Sequence, residues 1–369
     1  MDEYTYLVVG AGLAGSTIAE RLAAERGASV LVVDRRNHVA GNAHDDVYLD
    51  GLQYHAYGPH IFHTNSQRVV DYLSQFTAWR PYEHRVLSRV GESLVPVPIN
   101  RTTINVLFGQ SFDEAGVARF LAGRAEPYLR IDNSEQMIRS RIGRELYELF
   151  FRGYTRKQWG RDPADLDATV CGRIPTRTGD DDRYFTDTFQ AMPADGYTAM
   201  VRRMLANPNI DVALGVDYRT IVDEVRAERV IFTGPIDEYF NYRYGRLPYR
   251  TLRFDFEVRA RSRFQSAACV NEPDERVPYT RTTDYAYLTG QTADKTVISR
   301  EYPGSDGDPF YPIPCAESRE LYRRYDALAQ REPQVIFAGR LGEYKYFNMD
   351  QAVASALVKA ESLLCNEVA

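Results

Sequence analysis

Gly10, Gly12 and Gly15 stand at G-x-G-x-x-G spacing in "VVGAGLAGS", directly after an apolar run and directly before a helical pattern. At that spacing the chain can turn sharply, a pyrophosphate can approach bare backbone, and helix can pack on strand with its amino end facing the phosphates. Asp34 closes the next apolar run, "SVLVVD", where an acid accepts hydrogen bonds from a ribose. The spacing alone also suits a purely structural turn; the strand-turn-helix-strand context and the terminal acid point to a dinucleotide. Gly41 and Asn42 in "RRNHVAGNAHD" offer a second glycine turn, and Arg340 in "FAGR" offers a pyrophosphate partner just before the last helical pattern. A ligand reached from such distant segments fits FAD better than the shorter span of NAD.

His60 and His63 lie together in "YGPHIFHT", but the chain has 6 histidines in all and no H-E-x-x-H, so no metal site is expected. Packing beside a flavin ring suits the pair better, with a plain structural role the alternative for His60. "RGYTRKQWG", residues 152–160, gathers Tyr154, Trp159 and three cations. Its aromatics suit either a stacking platform for a base or the core end of a helix. Its cations, Arg152, Arg156 and Lys157, read as solvated surface. There is no G-x-S-x-G elbow, no setting that would activate a cysteine and no close pair of candidate catalytic carboxylates. Bond-making would then fall to the cofactor.

These residues need a scaffold, and 369 residues with 44% hydrophobic content supply a folded one. A formal net charge of −6 disfavours broad binding to nucleic acid and leaves room for local pockets that take small anions. No apolar run approaches membrane-spanning length, so membrane insertion is not expected. The 4 cysteines are scattered without C-x-x-C spacing, as suits a reducing cytoplasm.

The opening reads as βαβ, residues 100 to 195 carry apolar positions at helical spacing, and 229 to 301 alternate as antiparallel strands do. Arg259, Arg261 and Arg263 would share one solvated strand face. The tail returns to strand, glycine loop and helix. The expected fold is therefore α/β: a Rossmann-like FAD-binding domain, a small helical domain and a largely antiparallel sheet domain. The FAD-binding domain would come in three pieces (1–80, 196–235 and 316–369), with a sheet segment at 81–100, a helical substrate or lid domain at 101–195 and the antiparallel domain at 236–315.

The ordered set "VVGAGLAG", "RNHVAGNA", "YGPHIFHT", "GYTRKQWG", "RIPTR", "DDRYFTD", "MPADGYT", "FTGPIDEYF", "VPYTR" and "GRLGEYKYFNMDQ" resembles the bacterial UDP-galactopyranose mutases nearly end to end. That resemblance implies a flavoenzyme, active with reduced FAD, that interconverts UDP-galactopyranose and UDP-galactofuranose through an adduct of flavin and anomeric carbon, with no net redox change. It implies a cytoplasmic homo-oligomer. Tyr154 would stack on uracil, with Trp159 near sugar and flavin and Thr155 as a hydrogen-bonding group. Arg173, on a mobile loop, and Arg281 would hold the diphosphate, because the planar fork of arginine pairs with phosphate oxygens. His84, Phe150, Tyr184, Phe185, Tyr311, Tyr346 and Asn348 would complete the substrate pocket. Several family members carry aspartate at the position of Asn348, which puts any role requiring a carboxylate in doubt. Arg35, Ile61, Met349 and Asp350 would join Asn348 and the glycine loops around the cofactor, and His63 would respond to its redox state. The alternatives are an amine-oxidase-type FAD oxidase, a flavin-free carrier on the same fold, and a mutase for another UDP-hexose.

Overall fold

The computed structural model describes residues 2–48 and 51–366. The first strand, Asp2–Val9, lies at the centre of a five-stranded parallel sheet in the spatial order Ile210–Leu214, Val30–Asp34, Asp2–Val9, Val225–Phe232, Val335–Phe337. Alternation assigns its two faces. Tyr6 and Val8 enter the main core with Val30 and Val32, while Leu7, Leu31 and Val33 form a smaller core on the other side. The helix Leu13–Arg26 covers the first face through Ile18, Ala19 and Leu22, packing beside the last helix, Met349–Asn366, through Val353, Ala356 and Leu357. Gly27, left-handed at φ 65°, stops the first helix.

A seven-stranded sheet runs in the order Tyr311–Pro312, Tyr249–Arg259, Thr296–Gly304, Arg281–Asp284, Cys269–Asn271, Val86–Val90, Ser93–Val97. It is antiparallel except where Cys269–Asn271 meets Val86–Val90. Its face packs Val86, Val95 and Val97 against Ile104, Val117, Ile138, Ile142 and Leu146 of the helical region. Asn100 starts that region with a reciprocal capping box to Thr103. A small sheet of Phe62–Thr64, Phe189–Pro193 and Trp79–Pro81 joins the parts.

Two local expectations change. The helical pattern stops at Gly172, and residues 173–188 form bends and turns leading into the strand Phe189–Pro193. The long strand ends at Arg259, so Arg259, Arg261 and Arg263 share no strand face. Instead Arg259 pairs with Glu257, the Arg261 amide donates to the Arg259 carbonyl, and Arg263 lies 4.8 Å over the Tyr287 ring.

Candidate active site

A cavity of about 410 Å³ opens along the carboxyl ends of the parallel strands. Gly10, Gly12, Gly15, Asp34, Arg35, Gly41, Asn42, His60, Arg340 and Met349 all line it. The glycines have separate reasons. Gly15 carries no side chain because a Cβ would overlap the Gly10 carbonyl oxygen, and Gly10 sits at φ 111° with Thr233 where a Cβ would go. At Gly12 and Gly41 the two bare loops touch: a Cβ on Gly41 would lie 3.1 Å from the Gly12 Cα. Gly12 is the N-cap of the first helix and no side chain caps it, so the leading N–H groups of that helix are left for an anion. The cradle fits a dinucleotide pyrophosphate.

Asp34 is more occupied than the sequence suggests. Its Oδ2 accepts from the Ala11 amide at 2.9 Å and its Oδ1 from the Arg36 amide at 2.9 Å, which fixes both glycine-bearing turns; a lone pair on each oxygen stays available to a ribose. Arg36 donates to Asn42 Oδ1 at 2.9 Å and stacks 4.3 Å over Tyr57, so it orients the second glycine turn. Arg35 turns to the cavity mouth and pairs with Asp308 at 3.0 Å. Ile61 packs against the main core and Asp350 accepts from Thr64 Oγ1; neither is among the residues lining this cavity.

Arg340 joins this cavity to a second group of side chains. Its guanidinium donates to the carbonyls of Phe310 at 3.2 Å and Phe347 at 2.7 Å. The neighbours of those residues, Tyr311 and Tyr346, close a three-ring wall with Trp159, with centroids 5.2 to 5.4 Å apart. The Tyr311 hydroxyl also accepts from Gln158. Arg173 crosses to this wall, lying 4.7 Å over the Tyr346 ring and donating to Asn348 Oδ1 at 2.6 Å. The amide oxygen of Asn348 is therefore the group in use, and no carboxylate is needed there.

Trp159 comes from the short helix Gly153–Trp159, which follows a π-helical turn at Glu148–Arg152. Such a turn re-aims the side chains after it. Gly160, left-handed at φ 65°, ends the helix, and the buried Arg250 donates to the carbonyls of Gln158 and Lys157 at 2.9 and 3.1 Å, satisfying its carboxyl end. Phe150 and Trp159 are core-buried, and Thr155 is buried with its hydroxyl 3.6 Å from Cys171 Sγ. Tyr154 stays half-buried; burial pushes its phenol up, with Arg281 opposing. The flanking cations part company. Arg152 pairs with Glu148 and Arg156 with Asp162 and Glu275, as exposed cations do. Lys157 is not solvated surface, because its ammonium donates to four backbone carbonyls.

Arg281 stands directly across the sheet from Glu301, its Nε 3.2 Å from Oε2. Burial alone would lower its pKa, but Glu301 and the phenols of Tyr154 and Tyr184 outweigh that, and the net shift is well upward. The pair makes no aligned Nε hydrogen bond and Glu301 Oε1 has no partner among the described residues, so charge rather than geometry holds it. Burial raises the Tyr184 phenol too, opposed first by Arg173 and then by Arg281. The Tyr184 amide donates to the His84 carbonyl at 2.7 Å, and the Phe185 ring lies 3.6 Å from His63 in a stack.

His63 is held from one side. Its Nδ1 is 2.7 Å from Asp187 Oδ2, and Asn65 donates to the other carboxylate oxygen at 2.9 Å. With the carboxylate accepting, the Nδ1 proton points at Asp187 and Nε2 is the free edge of the ring. Replacing Asp187 by Asn should free the tautomer and lower kcat by about tenfold with flavin content unchanged, as steady-state kinetics beside the flavin absorbance will show.

Two other histidines predict an acid limit. His55 and His84 are each 3% exposed, and burial lowers both to about 3. As pH falls below the ordinary value of about 6.5, the unfolded chain takes up these protons before the folded one does, so stability is lost from there down to about pH 3. Each group contributes a slope of at most about 1.4 kcal/mol per pH unit. Thermal unfolding between pH 7 and pH 5 should show a falling Tm, with a shallower slope for His84→Gln.

Arg36, Asp187, Arg250 and Glu301 escaped the sequence reading. Only Arg36, two residues past the terminal acid, carried a local signal; the others act from distant strands and turns.

A family profile described as UDP-galactopyranose mutase matches residues 149–346, and one described as an NAD(P)-binding Rossmann-like domain matches residues 8–76. A probable UDP-galactopyranose mutase of Klebsiella pneumoniae is 38% identical over 99% of this chain and 96% of its own. A dTDP-fucopyranose mutase of Escherichia coli is 33% identical, with 98% of both chains covered. Among solved structures, a reduced UDP-galactopyranose mutase superposes with a TM-score of 0.78 at 14% identity, covering 99% of this chain and 94% of that one. A putrescine oxidase reaches 0.60 at 13%, covering 99% of this chain and all of that one, so the overall fold is shared with oxidases. The profile spans more than half the chain and the relatives cover nearly all of it, so the chain belongs to the UDP-galactopyranose mutase family.

Proposed function

We propose that the chain is an isomerase interconverting UDP-galactopyranose and UDP-galactofuranose, with FAD in the glycine-lined cavity and active when that FAD is reduced. The observation that carries this reading is Arg173 lying 4.7 Å over Tyr346 in the Trp159–Tyr311–Tyr346 wall that Arg340 ties to the cavity, with Arg281 the second arginine assigned to the diphosphate. Gly10, Gly12, Gly15, Gly41, Asn42, Asp34 and Arg340 would hold the dinucleotide, and a reduced flavin bound there would supply the nucleophile for the anomeric carbon. The side chains do the rest. Tyr154 offers its ring to the uracil, and the two guanidiniums take the diphosphate and stabilise it as UDP departs. Trp159, Tyr311 and Tyr346 keep water from the open sugar, and His63 presents an acceptor at Nε2 to a sugar hydroxyl. The buried free thiols of Cys171, Cys269 and Cys315 suit a reducing cytoplasm. No helix among the described residues is long and apolar enough to cross a membrane.

The test is chromatography of UDP-galactofuranose incubated with the purified yellow protein, with and without dithionite. Conversion to UDP-galactopyranose only after reduction supports the reading. Oxygen uptake with substrate would return the oxidase alternative. The likeness to the dTDP-fucopyranose mutase makes dTDP-fucopyranose the second substrate to assay, and a higher kcat/KM on it would move the nucleotide assignment.

A further inference from the structure

We infer that Lys157 is a positioning residue for Arg281, fastening the loop that leads into the Arg281 strand onto the helix that carries Tyr154 and Trp159. The inference rests on the proposed reading of Arg281 as a diphosphate ligand. The Lys157 ammonium donates to the carbonyls of Glu272, Asp274, Val277 and Tyr279, at 2.5, 2.8, 3.0 and 2.9 Å. An ammonium has three N–H groups, so the four acceptors share them and together enclose it. Tyr279 is two residues before Arg281.

The same face of the helix makes a second contact one turn earlier. A Cβ at Gly153 would overlap the Pro273 carbonyl oxygen and come within 3.1 Å of Glu275 Cγ, so glycine lets the loop lie against the helix. Tyr154 follows Gly153 on that helix, so the base platform and the loop contact share one short element. Beyond the loop the order continues: the Glu272 amide donates to Thr280 O and the Thr280 amide to Glu301 O, both at 2.9 Å. Glu301 is the carboxylate facing Arg281. Lys157 thus closes a ring of contacts that fixes the base platform and the diphosphate arginine at one separation. Burial lowers its pKa to about 8, against the pull of Glu272, Asp274 and Glu275. A freely solvated lysine would show no such shift.

The decisive experiment compares Lys157→Met with wild-type flavoprotein by two readouts. Amide hydrogen exchange over residues 272–281 should speed up by about tenfold, with exchange in the parallel sheet unchanged. The Kd for UDP should rise about tenfold while that for uridine, which lacks phosphates, stays within about twofold. In an Arg281→Ala background the same substitution should change the UDP Kd by less than about twofold, because the residue it positions is gone. Unchanged exchange in the loop overturns the inference, and so does an equal loss of UDP affinity in both backgrounds. If Lys157→Met does not accumulate as folded flavoprotein, Lys157→Arg keeps the charge but not the four-way fit and should give intermediate values by both readouts. A wild-type protein that binds no UDP sinks the substrate reading instead, while the exchange measurement still decides whether Lys157 ties the loop.

Discussion

Arg281→Ala should lower kcat/KM by about a thousandfold and weaken UDP binding, with flavin content retained. The fork that would grip the diphosphate and neutralise it as a leaving group is removed, and electrostatic stabilisation of this kind is usually the largest single contribution a side chain makes. The fold should suffer too. Glu301 is 3% exposed and already has one oxygen without a partner among the described residues, so loss of Arg281 strands its charge. The cost is about 2 kcal/mol, less than for a fully buried pair because the Arg281 side chain is 27% exposed. The double variant Arg281→Ala/Glu301→Gln separates the two effects, since it should recover most of the lost Tm and none of the activity. Recovery of turnover by the double variant would show that Arg281 acts only by neutralising Glu301. Arg281→Lys keeps the charge without the fork and should fall between.

The contrast between Arg281 and Glu301 shows how much of the site could be read in the chain. The dinucleotide cradle was legible because it is local: glycine spacing, strand and helix lie within a few residues of one another, and Asp34 follows at the end of the next strand. The fold class was legible for a related reason, since alternation and helical spacing mark which face each element must bury. Arg173, Arg281 and Tyr184 could be named only through the ordered motifs of a family, because one arginine among many has no local mark. Glu301 and Asp187 carry no mark at all. Glu301 meets Arg281 through a cross-strand register, and Asp187 reaches His63 from a turn more than a hundred residues away. Lys157 was misread for the opposite reason. Beside Arg152 and Arg156 it looks like a third solvated cation, but it points from the face of the helix that Gly153 leaves open to the 272–279 loop. Its exposure depends on a segment far away in sequence.

The strongest test of the cofactor assignment lies in two neighbouring glycines whose roles the structure separates. At Gly15 a new Cβ would overlap the Gly10 carbonyl oxygen and come within 3.1 Å of Val8 Cγ1. Backbone on one side and a core valine on the other leave it nowhere to go, so Gly15→Ala should part helix from sheet and give little folded protein. Gly12 differs. Its backbone is extended at φ −80°, which alanine adopts freely, and a Cβ there meets only the Gly41 Cα at an ordinary 3.8 Å. Gly12→Ala should therefore fold with a Tm close to that of the wild-type apoprotein. Its methyl would nevertheless stand in the cavity wall, where the pyrophosphate must approach the uncapped helix end. Loss of that approach should weaken FAD binding by at least about a hundredfold, and the protein should purify colourless with no turnover. Flavin absorbance per mole of protein, read beside circular dichroism, distinguishes the cases. A yellow, active Gly12→Ala protein would move the pyrophosphate away from the first glycine turn, and the assignments of Asp34, Gly41 and Arg340 would fall with it.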